Sequence, residues 1–557
     1  MAKTIQDAPR GRVPDSAAAE GVVRSAGLVS AATMLSRITG LVRESVIAWL
    51  FGARMEADAY RLAFLLPNLT RDLFAEGALS SAFVPTFTEE LTRKGREEAA
   101  KLANLVATAV ILVVGSICVL GVLAAPILVD LFAPGFRATP GKTELAVQLT
   151  RTMFPFLLLV ALAAQAMGVL NACNQFGVPS LAPTLFNIFS ISSGLLLGYT
   201  YGDSLGISPI QGMAWGVLIG GICQLMGQVP SLIRQGFRFR PAFDWSHPGL
   251  RHIVKLMGPA ILGGASVQIN VFINTNLATH VDDPIRGVNG AVSWLNYAFR
   301  FFQLPLGLFG VALASATVPS IARSLASGQH DEFRRTLNRS LGVAFLMTVP
   351  STVGLIVLGR DMITAVFRGG EFDAYDAHQT AFALSCYAVG LAAYSGAKIL
   401  NPAFYALKDS RTPMLISMGS IAINFLTATS LLRYTQLGHA GLALSTSAVA
   451  IFAFLCQFII MGRRVGGIHG RALLSSSIRM GIAALGMGVV ISMMRLGIGN
   501  ALGESRLVSL VALAVCVPGG LAVFYGLCRL LAVEEMELAM SGVLAPIRRV
   551  ARMGNRD

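Results

Sequence analysis

The sequence predicts an all-α integral membrane protein of 14 transmembrane helices: two parallel-repeat six-helix lobes around a central cavity, plus two C-terminal helices. Three observations carry the prediction. Of the 557 residues, 54% are hydrophobic and only 13% charged. An ordinary soluble protein carries about 25% charged residues, so this chain cannot cover itself with a polar exterior and its surface must face lipid. Apolar stretches long enough to span a bilayer recur fourteen times, and the basic residues between them collect in alternate connections.

A spanning helix needs about 20 mostly apolar residues. In order, the stretches are 26–50, 57–90, 101–131, 145–173, 179–200 and 211–233, which form an N-lobe over 25–245. Next come 253–280, 288–322, 336–366, 378–406, 412–432 and 439–462, a C-lobe over 246–468. The last two, 477–499 and 507–533, lie in 469–535. With the N-terminus inside, the tails and cytoplasmic loops hold 28 Lys/Arg and the opposite loops hold 8, the asymmetry expected when retained cations mark the cytoplasmic side. The net charge of +14 then describes cytoplasmic loops, and no nucleic-acid partner is expected. Both tails, 1–24 (read as disordered) and 536–557, are placed in the cytoplasm. The Ala17-Ala18-Ala19 run precedes the first apolar stretch, opposite to the order in a cleavable signal peptide. Seven cysteines lie in or beside apolar stretches without a C-x-x-C pair and read as small apolar fillers.

Sliding the chain by 234 residues brings ALSSAFVP (Ala78 to Pro85) onto ALASATVP (Ala312 to Pro319), six of eight identical, and Asn104 onto Asn338. Because six spans separate the copies, both lobes enter the membrane in the same orientation. That is the parallel repeat of transporters that rock one lobe against the other.

The chemistry should lie with the eight cations nearest apolar segments: Arg37, Arg43, Arg61, Arg71, Arg151, Arg300, Arg360 and Lys398. A charge at the bilayer centre costs about 2.5–3.5 kcal/mol on the lenient insertion scale, so such residues should face water or a ligand. Arg151, Arg360 and Arg61 stand near predicted helix ends, where a long side chain snorkels to the interface. In the first helix Ser36, Arg37, Gly40, Arg43 and Glu44 make one stripe. The second carries Asp58, Asn68, Arg71 and Asp72, with Pro67 loosening its backbone. The eighth carries Ser293, Asn296, Arg300 and Gln303 on a single face. On the seventh, the amides of Gln268, Asn270, Asn274 and Asn276 suit either sugars or neighbouring helices. Arginine forks fit diphosphate oxygens. Direct pairing of Arg43 with Glu44, or Arg71 with Asp72, is not expected, because adjacent residues point about 100° apart on a helix. No histidine pair has metal-ligand spacing and no P-loop is present, so neither a metal, a cofactor nor ATP is expected. Transport would be coupled to the membrane potential or to a monovalent cation.

The run SRITGLVRE (Ser36 to Glu44), followed by DAYRLAFLLPNLTRDLFAEGALSSAFVP (Asp58 to Pro85), closely resembles the MurJ (MviN) lipid II flippase family. APTLFN (Ala182 to Asn187), MGPAILG (Met257 to Gly263) and SLASGQHDEF (Ser324 to Phe333) extend the likeness over roughly residues 25–530. The resemblance implies a non-enzymatic member of the multidrug/oligosaccharidyl-lipid/polysaccharide exporter superfamily in the bacterial inner membrane. It implies that the last two helices form a groove for a polyprenyl tail, and that the chain moves lipid-linked peptidoglycan precursor outward. Arg37, Arg43 and Arg71 match the family's cavity arginines, Asp58 its acid opening the second helix, and Arg300 its cation in the eighth. Around them Ser36, Asn68, Ser293, Asn296 and Gln303 complete the expected substrate-binding set. Lipid II and membrane lipids are the implied partners, with cell-wall synthesis proteins beside them. Phe299 and Gln303 stand where the family often has acids, which argues against a charge relay there, and Leu65 replaces a lysine of some relatives. The rival readings are export of another polyprenyl-linked oligosaccharide, a cation-coupled drug antiporter, a polyprenyl-phosphate transferase or phosphatase, and a non-transporting scaffold.

Overall fold

The computed structural model describes residues 16–72, 79–468, 470–503, 505–537 and 539. Helices follow one another in the order α1 (Ser16–Phe51), α2 (Met55–Arg71), α3 (Ser80–Arg93), α4 (Arg96–Leu123), α5 (Ala125–Phe132), α6 (Lys142–Met153), α7 (Phe156–Ala172), α8 (Gly177–Leu195), α9 (Gly202–Leu205), α10 (Pro209–Met226) and α11 (Val229–Arg234). They continue as α12 (Pro248–Ala278), α13 (Ala291–Pro305), α14 (Ala312–Ala326), α15 (His330–Phe367), α16 (Ala374–Ala388), α17 (Leu391–Ala406), α18 (Arg411–Tyr434), α19 (His439–Val465), α20 (Gly470–Leu502) and α21 (Arg506–Leu530). Among the described residues nine helices are long and apolar enough to cross a membrane, or ten when α16 and α17, bent by 47°, count as one span. The chain is thus an all-α, multi-pass membrane protein.

The structure breaks several apolar runs that read as single spans. Within 145–173, α6 gives way to α7 at Pro155, which caps the second segment; a proline has no amide hydrogen for the ladder. Within 288–322, Pro305 ends α13 and a π-helical turn, Leu306–Val311, precedes α14, the usual form of a local defect in the i→i−4 ladder. The run 57–90 becomes α2 and α3, with 73–78 outside the described residues. At the N-terminus, α1 begins at Ser16. Residues 16–24, read from sequence as part of a disordered tail, are therefore helical, in keeping with the three alanines there, the strongest helix formers. Residues 1–15 and most of 536–557 lie outside the described residues.

The chain divides into two compact units. The first contains the described residues up to Glu44, Leu66–Leu123 and Arg151–Ile261. In it, α8 and α10 meet backbone to backbone. A Cβ added to Gly212 would lie 2.4 Å from the Gly198 Cα, and one on Gly216 would lie 2.4 Å from the Ser190 carbonyl oxygen, so glycines four apart set this close crossing. Gln165 donates to the Ala103 carbonyl at 2.7 Å, tying α7 to α4. The Asn187 amide donates to the Ser36 carbonyl at 3.2 Å and the Thr39 hydroxyl at 3.3 Å, tying α8 to α1.

The second unit contains Ser45–Leu65, Ala124–Thr150 and the chain from Leu262 onward. Its aromatic centre gathers Tyr297, Phe301, Phe367 and Phe372, with ring centroids 4.9–5.8 Å apart. The asparagines of α12 act as ties between helices. Asn270 donates to the Ser420 hydroxyl at 3.2 Å, Asn274 to the Thr446 hydroxyl at 3.0 Å and Asn276 to the Leu131 carbonyl at 2.9 Å. Of the two uses open to them in the sequence, these three amides serve neighbouring helices.

Candidate substrate-binding site

In the first unit the expected site residues lie on α1 and at the end of α2. Arg37 is exposed, while Arg43 and Glu44 are buried, at 7% and 4% exposure. Arg43 Nη2 stands 3.0 Å from Glu44 Oε1, and its guanidinium lies 5.2 Å over the Phe186 ring. Arg71 donates through Nε and Nη2 to Asp72 Oδ1, at 3.2 and 2.9 Å. Both neighbour pairs thus form directly, against the expectation from their 100° separation. That argument fixes only the Cα–Cβ directions, and a guanidinium on three methylenes reaches around the helix to an adjacent carboxylate. Ser36 offers its carbonyl to Asn187, so the Ser36–Arg43 side of the stripe meets α8 and its polarity is answered partly by protein. Asn68 is half-buried.

In the second unit Asp58, Ser293 and Asn296 are engaged with partners from other elements. Asp58, in the first turn of α2, is fully buried and accepts four hydrogen bonds. Oδ2 takes Lys142 Nζ at 2.9 Å and the Gly290 amide at 2.8 Å; Oδ1 takes the Ser293 amide at 3.0 Å and its hydroxyl at 2.6 Å. Gly290 precedes α13 and has no side chain to cap it. The Asp58 carboxylate performs that capping from another helix, satisfying two of the open amides and meeting the positive end of the helix dipole. Gly290 itself is obligatory: its φ is +95°, and a Cβ would lie 2.6 Å from the Trp294 ring. Lys142, also fully buried, spends its other protons on the Val288 carbonyl at 3.1 Å and Asn289 Oδ1 at 2.8 Å, and sits 4.1 Å over the Phe136 ring. One turn along α2, Arg61 donates to Asn296 Oδ1 at 2.6 Å and stacks 4.0 Å over the Tyr297 ring.

Arg61 therefore does not snorkel. It is 6% exposed because α2 packs along α13 here, which makes a helix beginning an interior position. Arg151 and Arg360 are exposed. Arg300 is half-buried and Gln303 exposed. Ser293, Asn296, Asp58 and Arg61 are brought together. Sequence reasoning missed Lys142, which stands in a Pro-Gly turn and reads as a loop cation. The available signal was the demand of Asp58 for a cation that its own helix does not supply. Among the described residues no group of three His, Cys, Asp or Glu is placed to hold a metal ion.

The comparisons with known proteins bear on what these residues serve. The family model "Lipid II flippase MurJ" matches residues 47–508. That range includes Asp58, Asn68, Arg71, Ser293, Asn296, Arg300 and Gln303, and begins after Ser36, Arg37 and Arg43. A curated relative, the lipid II flippase MurJ of Burkholderia cenocepacia, is 35% identical over 448 residues, 79% of this chain and 83% of its own length. A solved structure of lipid II flippase MurJ, in an inward closed conformation, superposes with a TM-score of 0.73 at 27% identity, covering 91% of this chain and 99% of that one. A multidrug resistance transporter of the MATE family, in an inward-facing conformation, superposes at 0.58 with 17% identity over 79% of this chain and 94% of its own, which shows a shared fold alone. Matched over most of its length, the chain belongs to the lipid II flippase MurJ family, whose members are transporters and not enzymes.

Proposed function

We propose that the chain is a lipid II flippase of the bacterial inner membrane. It moves undecaprenyl-diphosphate-linked peptidoglycan precursor from the cytoplasmic to the outer leaflet by alternating access, with the diphosphate bound by Arg37, Arg43, Arg71 and Arg300. The observation that carries the reading is the family match over residues 47–508. The arginines add a physical reason, since four guanidiniums on membrane helices suit a diphosphate and repel a cationic drug. Ser36, Asn68 and Gln303 supply neutral hydrogen-bonding groups to the headgroup. Asp58 and Ser293 are bonded to each other and Asp58 to Lys142, while Asn296 accepts from Arg61, so their part in binding requires these contacts to open during the cycle.

The ten candidate spans, taken with α1, with α2–α3, with α12 and with α13–α14, make the proposed count of fourteen. These four carry the stripes and amides that make a span less apolar. The proposed lobes are 25–245 and 246–468, with both termini cytoplasmic. For 469–535 a lipid-tail groove is supported by the exposed stripe Leu474, Ile478, Ile482, Leu485, Val489 and Met493 along α20. Membrane potential or a monovalent cation drives the cycle; one charge moved through 100 mV is worth about 2.3 kcal/mol. Membrane lipids and cell-wall synthesis proteins are the proposed partners beside lipid II. Depletion of the protein in its host tests the reading. Lipid II should accumulate on the cytoplasmic leaflet and return to its normal distribution when the gene is restored. An unchanged lipid II distribution, or accumulation of a different lipid-linked saccharide, would contradict it.

A further inference from the structure

The segment between α11 and α12, residues 235–247, is not helical and belongs wholly to the first unit. It runs back along α4 instead of standing off from it. Phe237 fixes its start, buried against the Phe87 ring at a centroid distance of 5.7 Å. The Arg240 amide then donates to Asn104 Oδ1 at 3.2 Å and the Ala242 amide to the Thr108 hydroxyl at 3.1 Å. Pro241, between them, has no amide hydrogen to place. Thr108 Oγ1 in turn donates to the Asn104 carbonyl at 2.8 Å. Asn104 is the residue that the internal repeat sets against Asn338, and its side chain serves the backbone of this segment.

These two acceptors set the depth of the segment. From Leu102 to the end of α4 at Leu123 no residue is charged, about 32 Å of helix against a hydrocarbon core of about 30 Å. Asn104 and Thr108 lie in the first two turns of that apolar length, so residues 240–242 run at the boundary between headgroups and acyl chains. Non-helical backbone at such a level needs acceptors from the protein, which the asparagine and threonine supply. The segment turns its rings outward. Phe239, Phe243 and Trp245 are 55%, 63% and 47% exposed, and Arg238 and Arg240, on either side of Phe239, are exposed too. Asp244 is the acid among them, and Arg234 adds a third exposed cation just before the segment. Rings flanked by cations at this level fit the membrane interface, where aromatic side chains sit at headgroup depth and basic ones meet anionic lipid.

We propose that residues 238–245 form a seat for anionic phospholipid: Phe239, Phe243 and Trp245 enter the boundary between headgroups and acyl chains, and Arg238 and Arg240 bind the lipid phosphates. That the leaflet is the cytoplasmic one rests on the orientation proposed above; the contact with lipid does not. The test uses the full-length protein in phosphatidylcholine nanodiscs in which a minor share of the lipid is brominated phosphatidylglycerol or, separately, brominated phosphatidylcholine. The fluorescence of Trp245 is taken as the difference between wild type and W245F. Both brominated lipids should quench it, phosphatidylglycerol at about a tenfold lower share. R238Q/R240Q should bring the two lipids level while phosphatidylcholine still quenches, and R238K/R240K should keep most of the preference. A Trp245 component that neither lipid quenches overturns the seat and leaves this surface to water or to an acidic protein. Equal quenching by both lipids in the wild type, or a preference that survives in R238Q/R240Q, overturns phosphate recognition by the two arginines.

Discussion

Asp58 shows what a buried acid requires in a protein of this kind. Removing one partner of a buried ion pair costs about 3–5 kcal/mol, because the other charge is left without compensation. Lys142→Ala should therefore lower the stability of the detergent-solubilised protein by roughly that amount in a thermal melt. Lys142→Ala combined with Asp58→Asn should recover part of the loss, since no bare charge remains. Equal melting of Lys142→Ala and wild type would mean that the pair contributes nothing. The sequence marked Asp58 and the arginines, because lipid makes their burial costly. It did not mark Lys142, whose partner lies 84 residues away and whose Pro-Gly turn reads as exposed loop. The failure at Arg43–Glu44 and Arg71–Asp72 has a different cause. Helical angles locate where a side chain starts, and arginine is long enough that its end goes elsewhere.

Among the elements, the start of α13 is the most sharply specified. Gly290→Ala adds a Cβ at 2.6 Å from the Trp294 ring at a φ of +95°, and backbone strain of this kind costs about 1–3 kcal/mol. The expected result is an earlier thermal melt and faster amide exchange at Ser293, the amide that Asp58 caps; unchanged exchange there would refute the capping. The start of α18 should respond to acid. Asp409 accepts from the Arg411 and Thr412 amides, both at 3.1 Å, and from the Thr412 hydroxyl at 2.6 Å, and stands 2.9 Å from Arg464. The Thr412 hydroxyl first, then its amide and Arg464, hold the Asp409 carboxyl below the ordinary value of 3.8, against the opposing effect of burial. A depressed carboxylate contributes its stability above the unfolded value and loses it as pH falls through the folded one. Protection of the Arg411 and Thr412 amides should therefore persist at pH 5 and fade below about pH 4, and Asp409→Asn should remove that acid-sensitive component. Apolar runs located the elements well but concealed their breaks, because Pro155, Pro305 and the α16–α17 bend interrupt hydrogen bonding without interrupting hydrophobicity.

For the whole molecule, composition and the lysine–arginine asymmetry were enough to read a multi-pass membrane protein, and the SRITGLVRE and DAYRLAFLLPNLTRDLF motifs were enough to read its family. What the sequence could not show is how much of the polar stripe is consumed by the protein's own contacts: Ser36 with Asn187, Arg61 with Asn296, Asp58 with Lys142. Hydrophobic periodicity reports which face is polar and not whether that face meets water, ligand or another helix. The central claim is that a lipid diphosphate crosses the membrane on the arginines. Its most direct test is lipid II translocation in proteoliposomes of the purified full-length protein, with Arg37→Gln and Arg300→Gln beside the wild type. Loss of a charge-assisted contact worth about 1.5–3 kcal/mol predicts a slowing of roughly tenfold or more in each variant, with wild type clearly faster than protein-free vesicles. Wild-type vesicles that flip lipid II no faster than empty ones, or arginine variants that match wild type, would contradict the account.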